Sequence, residues 1–361
     1  MAGVHRYTAR PVPPSLPAAT SGSDAWRAAG WGLLLAALVI VGIWAGSRGF
    51  RDFDPALVSY AGATVFAAFG LGYRYAMWLR RPPTRLYWRR GWRTFLSGGL
   101  GANLVELSRR VAADIVAQAF IARRSRVRWL GHWLIAWGCV LAAAVTFPLS
   151  FGWIRFETPP DSQAVYLAYV FGVRVAAFRL DSWLAPFIFG VLNIAAVMVL
   201  AGLFFALWRR GRDRGALAVQ QFASDLVPLA MLFAVSVTGL FLTASTHWLR
   251  GLQYGFLSQL HAVTVILTLL YLPFGKFFHV FQRPAQLGVA FYKRAGATGE
   301  QARCERCGEA FASRLHVDDL KDVEAALGIR YAIEDGGHYQ DVCPACRRRS
   351  LALAQDTLWD R

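Results

Sequence analysis

Apolar residues gather into six blocks, at 30–46, 57–79, 129–151, 182–208, 225–248 and 256–281, each bounded by tryptophan, proline or clustered arginine. A hydrocarbon core about 30 Å thick is crossed by roughly 20 helical residues, so each block is long enough to span a bilayer. The pattern predicts an all-α integral membrane protein, a bundle of about six transmembrane helices within residues 30–283. The lead, 1–29, is rich in Pro, Ala and Ser and reads as disordered. It is too long for a signal peptide, and no small-x-small site closes the first apolar run, so 30–46 is expected to be retained. Between the second and third blocks, Leu100, Leu104, Leu107, Val111 and Ile115 recur at three- and four-residue steps, with Asn103, Glu106, Arg110 and Asp114 elsewhere. That periodicity predicts an amphipathic helix within 80–128, on a membrane surface or under a partner. The segment 152–181 is half apolar and is expected to fold back onto the interface. Beyond residue 283 the pattern turns polar: 284–303 reads as a linker and 304–361 as a small separate domain.

Composition agrees. Of 361 residues, 56% are hydrophobic and only 17% charged, with mean hydropathy +0.36. The net charge of +17 comes almost wholly from arginine, the only lysines being Lys276, Lys293 and Lys321. Loops 80–128 and 209–224 carry sixteen arginines, while loops 47–56, 152–181 and 249–255 carry six. By the positive-inside rule the first set is cytoplasmic, and six spans then place both termini inside a bacterial cytoplasmic membrane. Topology explains the charge, so no nucleic-acid partner is expected.

Against this background the histidines stand out. His261 and His279 lie eighteen residues apart; on one helix that is five turns, about 27 Å, with both rings on one face. The sharper reading is axial ligands for two haems stacked across the membrane; the plainer one is two interfacial histidines meeting headgroups or a neighbouring helix. Topology puts His132 with His279 at the inner surface, and His247 with His261 at the outer one. A b-type haem takes two neutral imidazoles from different helices, and this sorting supplies a pair per leaflet. His316 and His338 fall in the tail, and His5 in the lead.

Leu272-Pro273-Phe274-Gly275-Lys276 before His279, and Arg283-Pro284 after it, resemble the last transmembrane helix of respiratory nitrate reductase gamma subunits and of the membrane cytochromes b of heterodisulfide-reductase-like complexes. Arg128-Trp129-Leu130-Gly131-His132-Trp133 resembles that family's other ligand-bearing helix, and Ser236-Val237-Thr238-Gly239-Leu240 also fits; the likeness covers about residues 57–294. It implies that His132 and His279 hold a cytoplasmic-side haem b. A second haem would fall to His261, but no histidine lies between Trp133 and Phe151, where that family has one. His247 is the substitute left, unless it lines a quinone pocket with Tyr254 and His261, or merely caps its helix, and one haem is bound.

Cys304-Glu305-Arg306-Cys307 and Cys343-Pro344-Ala345-Cys346 form two C-x-x-C pairs, the pattern of a tetrahedral four-thiolate site. Zinc is the default for this zinc-ribbon-like module, and rubredoxin-like iron the alternative. The functional expectation is a membrane subunit passing electrons between quinone or quinol and a cytoplasmic iron–sulfur partner, commonly attached to a molybdopterin-containing enzyme. The alternatives are a transporter, disfavoured by the lack of paired intramembrane carboxylates and of broken helices, and a haem-free anchor or sensor built around the zinc module.

Overall fold

Each long apolar block becomes a helix, because inside a bilayer every backbone N–H and C=O must be bonded within the segment itself. The computed structural model describes residues 22–359, apart from 98, 214, 216, 217, 219, 330 and 332–336. It is mostly helical, and six helices are long and apolar enough to cross a membrane. The chain divides into two compact units: Ala28–Tyr75 with Arg109–Gln282, and Ala76–Ser108 with Arg283–Arg361 and the residues up to Arg27.

In the first unit, α1 (Gly22–Gly46) is followed by α2 (Val58–Arg80). Next in the chain come α3 (Pro82–Ser97) and α4 (Leu100–Arg110), which belong to the second unit up to Ser108; a π-helical turn Val111–Val116 and the single turn α5 (Ala119–Ala122) then lead into α6 (Arg126–Ser150). After a short sheet come α7 (Leu184–Arg212), α8 (Val227–His247) and α9 (Tyr254–Tyr271). The backbones of α6 and α7 approach closely: a β-carbon on Gly202 would lie 2.6 Å from the Gly131 carbonyl, and one on Gly138 2.9 Å from that of Ala195. Small residues at such crossings let two helices gain dispersion contacts where the hydrophobic effect is absent.

Three expectations need correction. The chain is not all-α, because residues 152–181 form an antiparallel sheet of β1 (Ile154–Glu157), β2 (Val165–Val170) and β3 (Val173–Arg179) in sequence order. Two runs rich in β-branched and aromatic residues are joined by Phe171-Gly172 alone, and both joining residues have positive φ (50° and 79°), as a two-residue hairpin turn demands. One face packs Ala168 and Phe178 against Ala185 of α7.

The second correction concerns the final apolar stretch, which is two helices. α9 stops at Tyr271; a turn through Pro273 and Gly275 and a 3-10 turn Lys276–Phe278 follow, and α10 (His279–Thr298) begins anew. Proline lacks the N–H that would continue the helical ladder. The break is also locked, since a β-carbon on Gly275 would sit 2.0 Å from the Tyr271 ring. Arg74 of α2 donates to the carbonyls of Pro273 and Gly275 (3.3 Å to the latter), satisfying acceptors that the interrupted helix leaves open.

The third concerns segments read as irregular. Residues 22–29 of the lead are helical, with Asp24 paired to Arg80; residues 1–21 lie outside the described ones. Residues 284–298 of the supposed linker 284–303 continue α10, because they have a packed face: in the second unit Tyr292 meets Tyr87 edge-on at 4.9 Å and Phe291 meets Phe95 at 5.3 Å. The same unit holds the tail module, in which the hairpin β4 (Gln301–Arg303) and β5 (Ala310–Ser313) is followed by α11 (Arg314–Ala326) and α12 (Pro344–Trp359). Arg90 of α3 pairs with the buried Asp319 of α11 at 2.9 Å.

Candidate functional sites

Two places carry chemistry: a pair of histidines in the membrane unit and a cluster of cysteines in the tail module.

His132 stands almost two turns into α6, beyond the N-cap Ser125, whose side chain accepts from the Arg128 N–H. His279 opens α10 directly after the break. The structure brings these two imidazoles together, their centroids 6.3 Å apart and their planes inclined at 63°. Each ring is oriented from behind: Nδ1 of His132 is 2.8 Å from Oε1 of Gln118, and Nδ1 of His279 is 2.6 Å from the Lys276 carbonyl. With Nδ1–H donating to an oxygen, the lone pair of a neutral imidazole lies on Nε2, the tautomer that binds metals. The separation fits a shared ion: metal–nitrogen bonds of about 2.0 Å, with about 1.2 Å from each nitrogen to its ring centre, put the centroids roughly 6.4 Å apart.

The break that ends α9 is what sets His279 in place. The Arg74 guanidinium lies 4.3 Å from the ring centre of the buried Phe278, while Lys276 pairs with Asp225 at 2.5 Å and the Tyr271 hydroxyl donates to the Ala223 carbonyl. Sequence reasoning passed over Arg74, although a signal existed: it is the one charged residue of α2 before Arg80, and a charge within an apolar span marks function. Gln118 and the Lys276 carbonyl gave no comparable signal.

The outer pair is not assembled. His261 points its Nδ1 at the Thr238 hydroxyl, 2.9 Å away, and Thr264 joins that group at 3.3 Å. His247 is exposed on the last turn of α8, its Nδ1 3.0 Å from the neighbouring Thr246 hydroxyl. Nine residues separate Thr238 from His247, about 13 Å along the helix, so the expectation that His247 faces His261 across one metal does not hold. Tyr254 is exposed at the start of α9, and among the described residues no hydrogen bond or ring contact joins it to His247 or His261. An open cavity of about 270 Å³ runs along Leu226, Val227, Met231 and Ala234 of α8 and its lead-in and Thr264 and Leu267 of α9, lined almost wholly by apolar atoms.

In the tail, Cys304 and Cys307 sit in the β4–β5 knuckle, whose turn needs Gly308 at φ 74°, while Cys343 and Cys346 open α12. The four sulfurs lie within 4.8 Å of one another, and those of Cys307 and Cys343 are 3.8 Å apart. A tetrahedron of ~2.3 Å metal–sulfur bonds has edges of about 3.8 Å, so the cluster can hold a metal such as zinc. Backbone N–H groups of Arg306 and Cys343 point at the Cys304 sulfur (3.4 and 3.2 Å) and that of Cys346 at Cys343 (3.4 Å). Burial pushes the Cys304 thiol up, but N–H groups, that of Cys343 foremost, outweigh it and bring it down to about 6. The Cys343 and Cys307 sulfurs push Cys346 up to about 12. Four thiols this close cannot all ionise without a cation between them, and a bound metal supplies one. His316, beside Tyr292, and His338, whose Nδ1 accepts from the Gln340 N–H, lie outside the cluster.

Comparison with protein-family models, with curated proteins and with solved structures finds no match.

Proposed function

We propose that the chain is a b-type cytochrome subunit of a membrane oxidoreductase, holding one haem between His132 and His279. The observation that carries this reading is the pair itself: two imidazoles from separate helices with centroids 6.3 Å apart, each with an oxygen at hydrogen-bond distance from Nδ1. Surface histidines that merely met headgroups would need neither the close approach of the two rings nor the two oriented tautomers. When bound, the haem supplies reversible one-electron chemistry. The chain's own part is to hold two neutral imidazoles, to grip the segment before His279 through Arg74, and to exclude water with the apolar spans around them.

The donor or acceptor on the membrane side is a quinone. In support, the apolar cavity along α8 and α9 suits a lipid-soluble molecule, and the α8 lead-in it follows is bonded to the 271–276 segment through Tyr271 and Lys276. The other side is a cytoplasmic iron–sulfur protein, attached to a molybdopterin-containing or heterodisulfide-reductase-like unit. The arginine bias of the loops favours this orientation, with both termini cytoplasmic. The module at Cys304, Cys307, Cys343 and Cys346 holds zinc and serves docking; iron in the same four-thiolate geometry would add an electron relay.

A second reading, a haem-free anchor for the tail module, is favoured by the completeness of the cysteine cluster without any membrane residue. The transporter reading loses one argument against it, since the last apolar stretch is interrupted after all. That interruption follows the 18-residue span Tyr254–Tyr271 instead of dividing it at mid-depth, where transporters bind substrate.

The test is a dithionite-reduced minus oxidised spectrum of the purified protein with haem and metal quantified. A b-type signal with one haem per chain is expected, lost in His132→Ala and His279→Ala and kept in His247→Ala. A protein that takes up no haem overturns the cytochrome reading in favour of the anchor.

A further inference from the structure

Gln118 combines two costs that a fold ordinarily avoids: a polar residue, it is only 7% exposed, and its backbone is left-handed, at φ 52° and ψ 39°. Few residues other than glycine take that conformation, and those that do cluster where geometry serves function. The strain is held by its surroundings. The π-helical turn Val111–Val116 delivers the chain to this point. The indole N–H groups of Trp129 and Trp137 on α6 then donate to the carbonyls of Ala117 (2.7 Å) and Val116 (3.1 Å). On the same helix, His132 meets the Gln118 amide at 2.8 Å. Two tryptophans thus pin the main chain at the place from which one amide reaches one imidazole.

The two histidines are treated differently. His279 is oriented by a backbone carbonyl, which no substitution of Lys276 removes, whereas His132 depends on a side chain. The geometry points to Gln118 as the positioning residue that would fix the tautomer and electron donation of His132 toward a haem. This rests on the haem reading of the histidine pair. An acceptor on Nδ1–H makes the imidazole more basic at Nε2, which favours the oxidised metal and lowers the potential. Glutamate at this position accepts more strongly and lowers it further, while a side chain that cannot accept raises it.

Three variants of the full-length protein in detergent test this: Gln118→Glu, Gln118→Leu and Gln118→Gly, read by haem retention, midpoint potential and the electron paramagnetic resonance of the oxidised form. Gln118→Glu should keep haem at a lower midpoint. Gln118→Leu and Gln118→Gly should raise the midpoint and weaken haem retention by about 10- to 100-fold. Glycine relieves the left-handed backbone, so Gln118→Gly separates backbone strain from the side chain's effect on His132; a glutamine that served only the backbone would leave haem content, potential and resonance unmoved in this variant. Haem lost from His132→Ala but unmoved in content, potential and resonance by all three Gln118 variants overturns the inference alone. Haem absent from the wild type, or retained by His132→Ala, overturns the underlying reading and the inference with it.

Discussion

Asp52, in the turn after α1, accepts two hydrogen bonds from Arg48 at 2.7 and 2.6 Å and has Arg155 of β1 3.4 Å away, so one carboxylate ties the turn to the sheet. The hydrogen bond from Arg48 holds its carboxyl below the usual aspartate range, against the upward push of burial. A folded-state value below the unfolded one adds stability that is complete above about pH 4 and is lost as pH falls through the lowered value. Melting temperature measured from neutral pH into acid should therefore fall more steeply for the wild type than for Asp52→Asn, which should start lower. Parallel curves would show that the pair contributes nothing. At this scale the sequence speaks through chemistry that is out of place: imidazoles in apolar runs drew attention to His132 and His279. A carbonyl such as that of Lys276, or an amide such as Gln118, leaves no mark in a pattern of apolar and polar positions.

Among elements, the interruption between α9 and α10 has the largest effect, because it converts two histidines on one helical face into one that begins a new helix. Pro273 and Gly275 are both visible in the sequence, yet an apolar run from Leu257 to Phe281 outweighs them in any reading by hydropathy. What decides is long-range: Arg74, almost two hundred residues earlier, bonds the freed carbonyls. Gly275→Ala should drive a β-carbon into the Tyr271 ring and cost about 1–3 kcal/mol by overpacking. Thermal unfolding in detergent measures this, and Tyr271→Leu in the same chain should recover part of it; additive losses would place the cost elsewhere. The hairpin β2–β3 was readable in principle from two β-rich runs two residues apart. Phenylalanine in place of the usual Asn or Asp before the turn glycine hid it.

For the whole molecule, the coarse features follow from summed hydrophobicity and charge: six long apolar helices and a polar metal-binding tail. The division into two units does not, because it depends on contacts such as Arg90–Asp319 and Tyr87–Tyr292 that join residues some two hundred positions apart. The tail module has a small core of Val342 and Phe311 around Cys304, Cys343 and Cys346, so its folding is expected to depend on the metal. Stripping the metal with a chelator should open residues 301–359 to protease while the fragment containing α6 to α9 stays intact and circular dichroism keeps most of its helical signal. Cleavage unchanged after verified metal loss would show a module that folds on side-chain packing alone.

The histidine pair also sets a clock on assembly. His132 and His279 stand 147 positions apart, and at about 5–20 residues per second a ribosome takes roughly 7 to 30 seconds to travel from one to the other. α7 is made about midway through that interval, so Gly131 gains its counterpart Gly202 then, while His132 still lacks the ring it will meet. The pair of imidazoles therefore comes into being only after the last of the six long helices has been made.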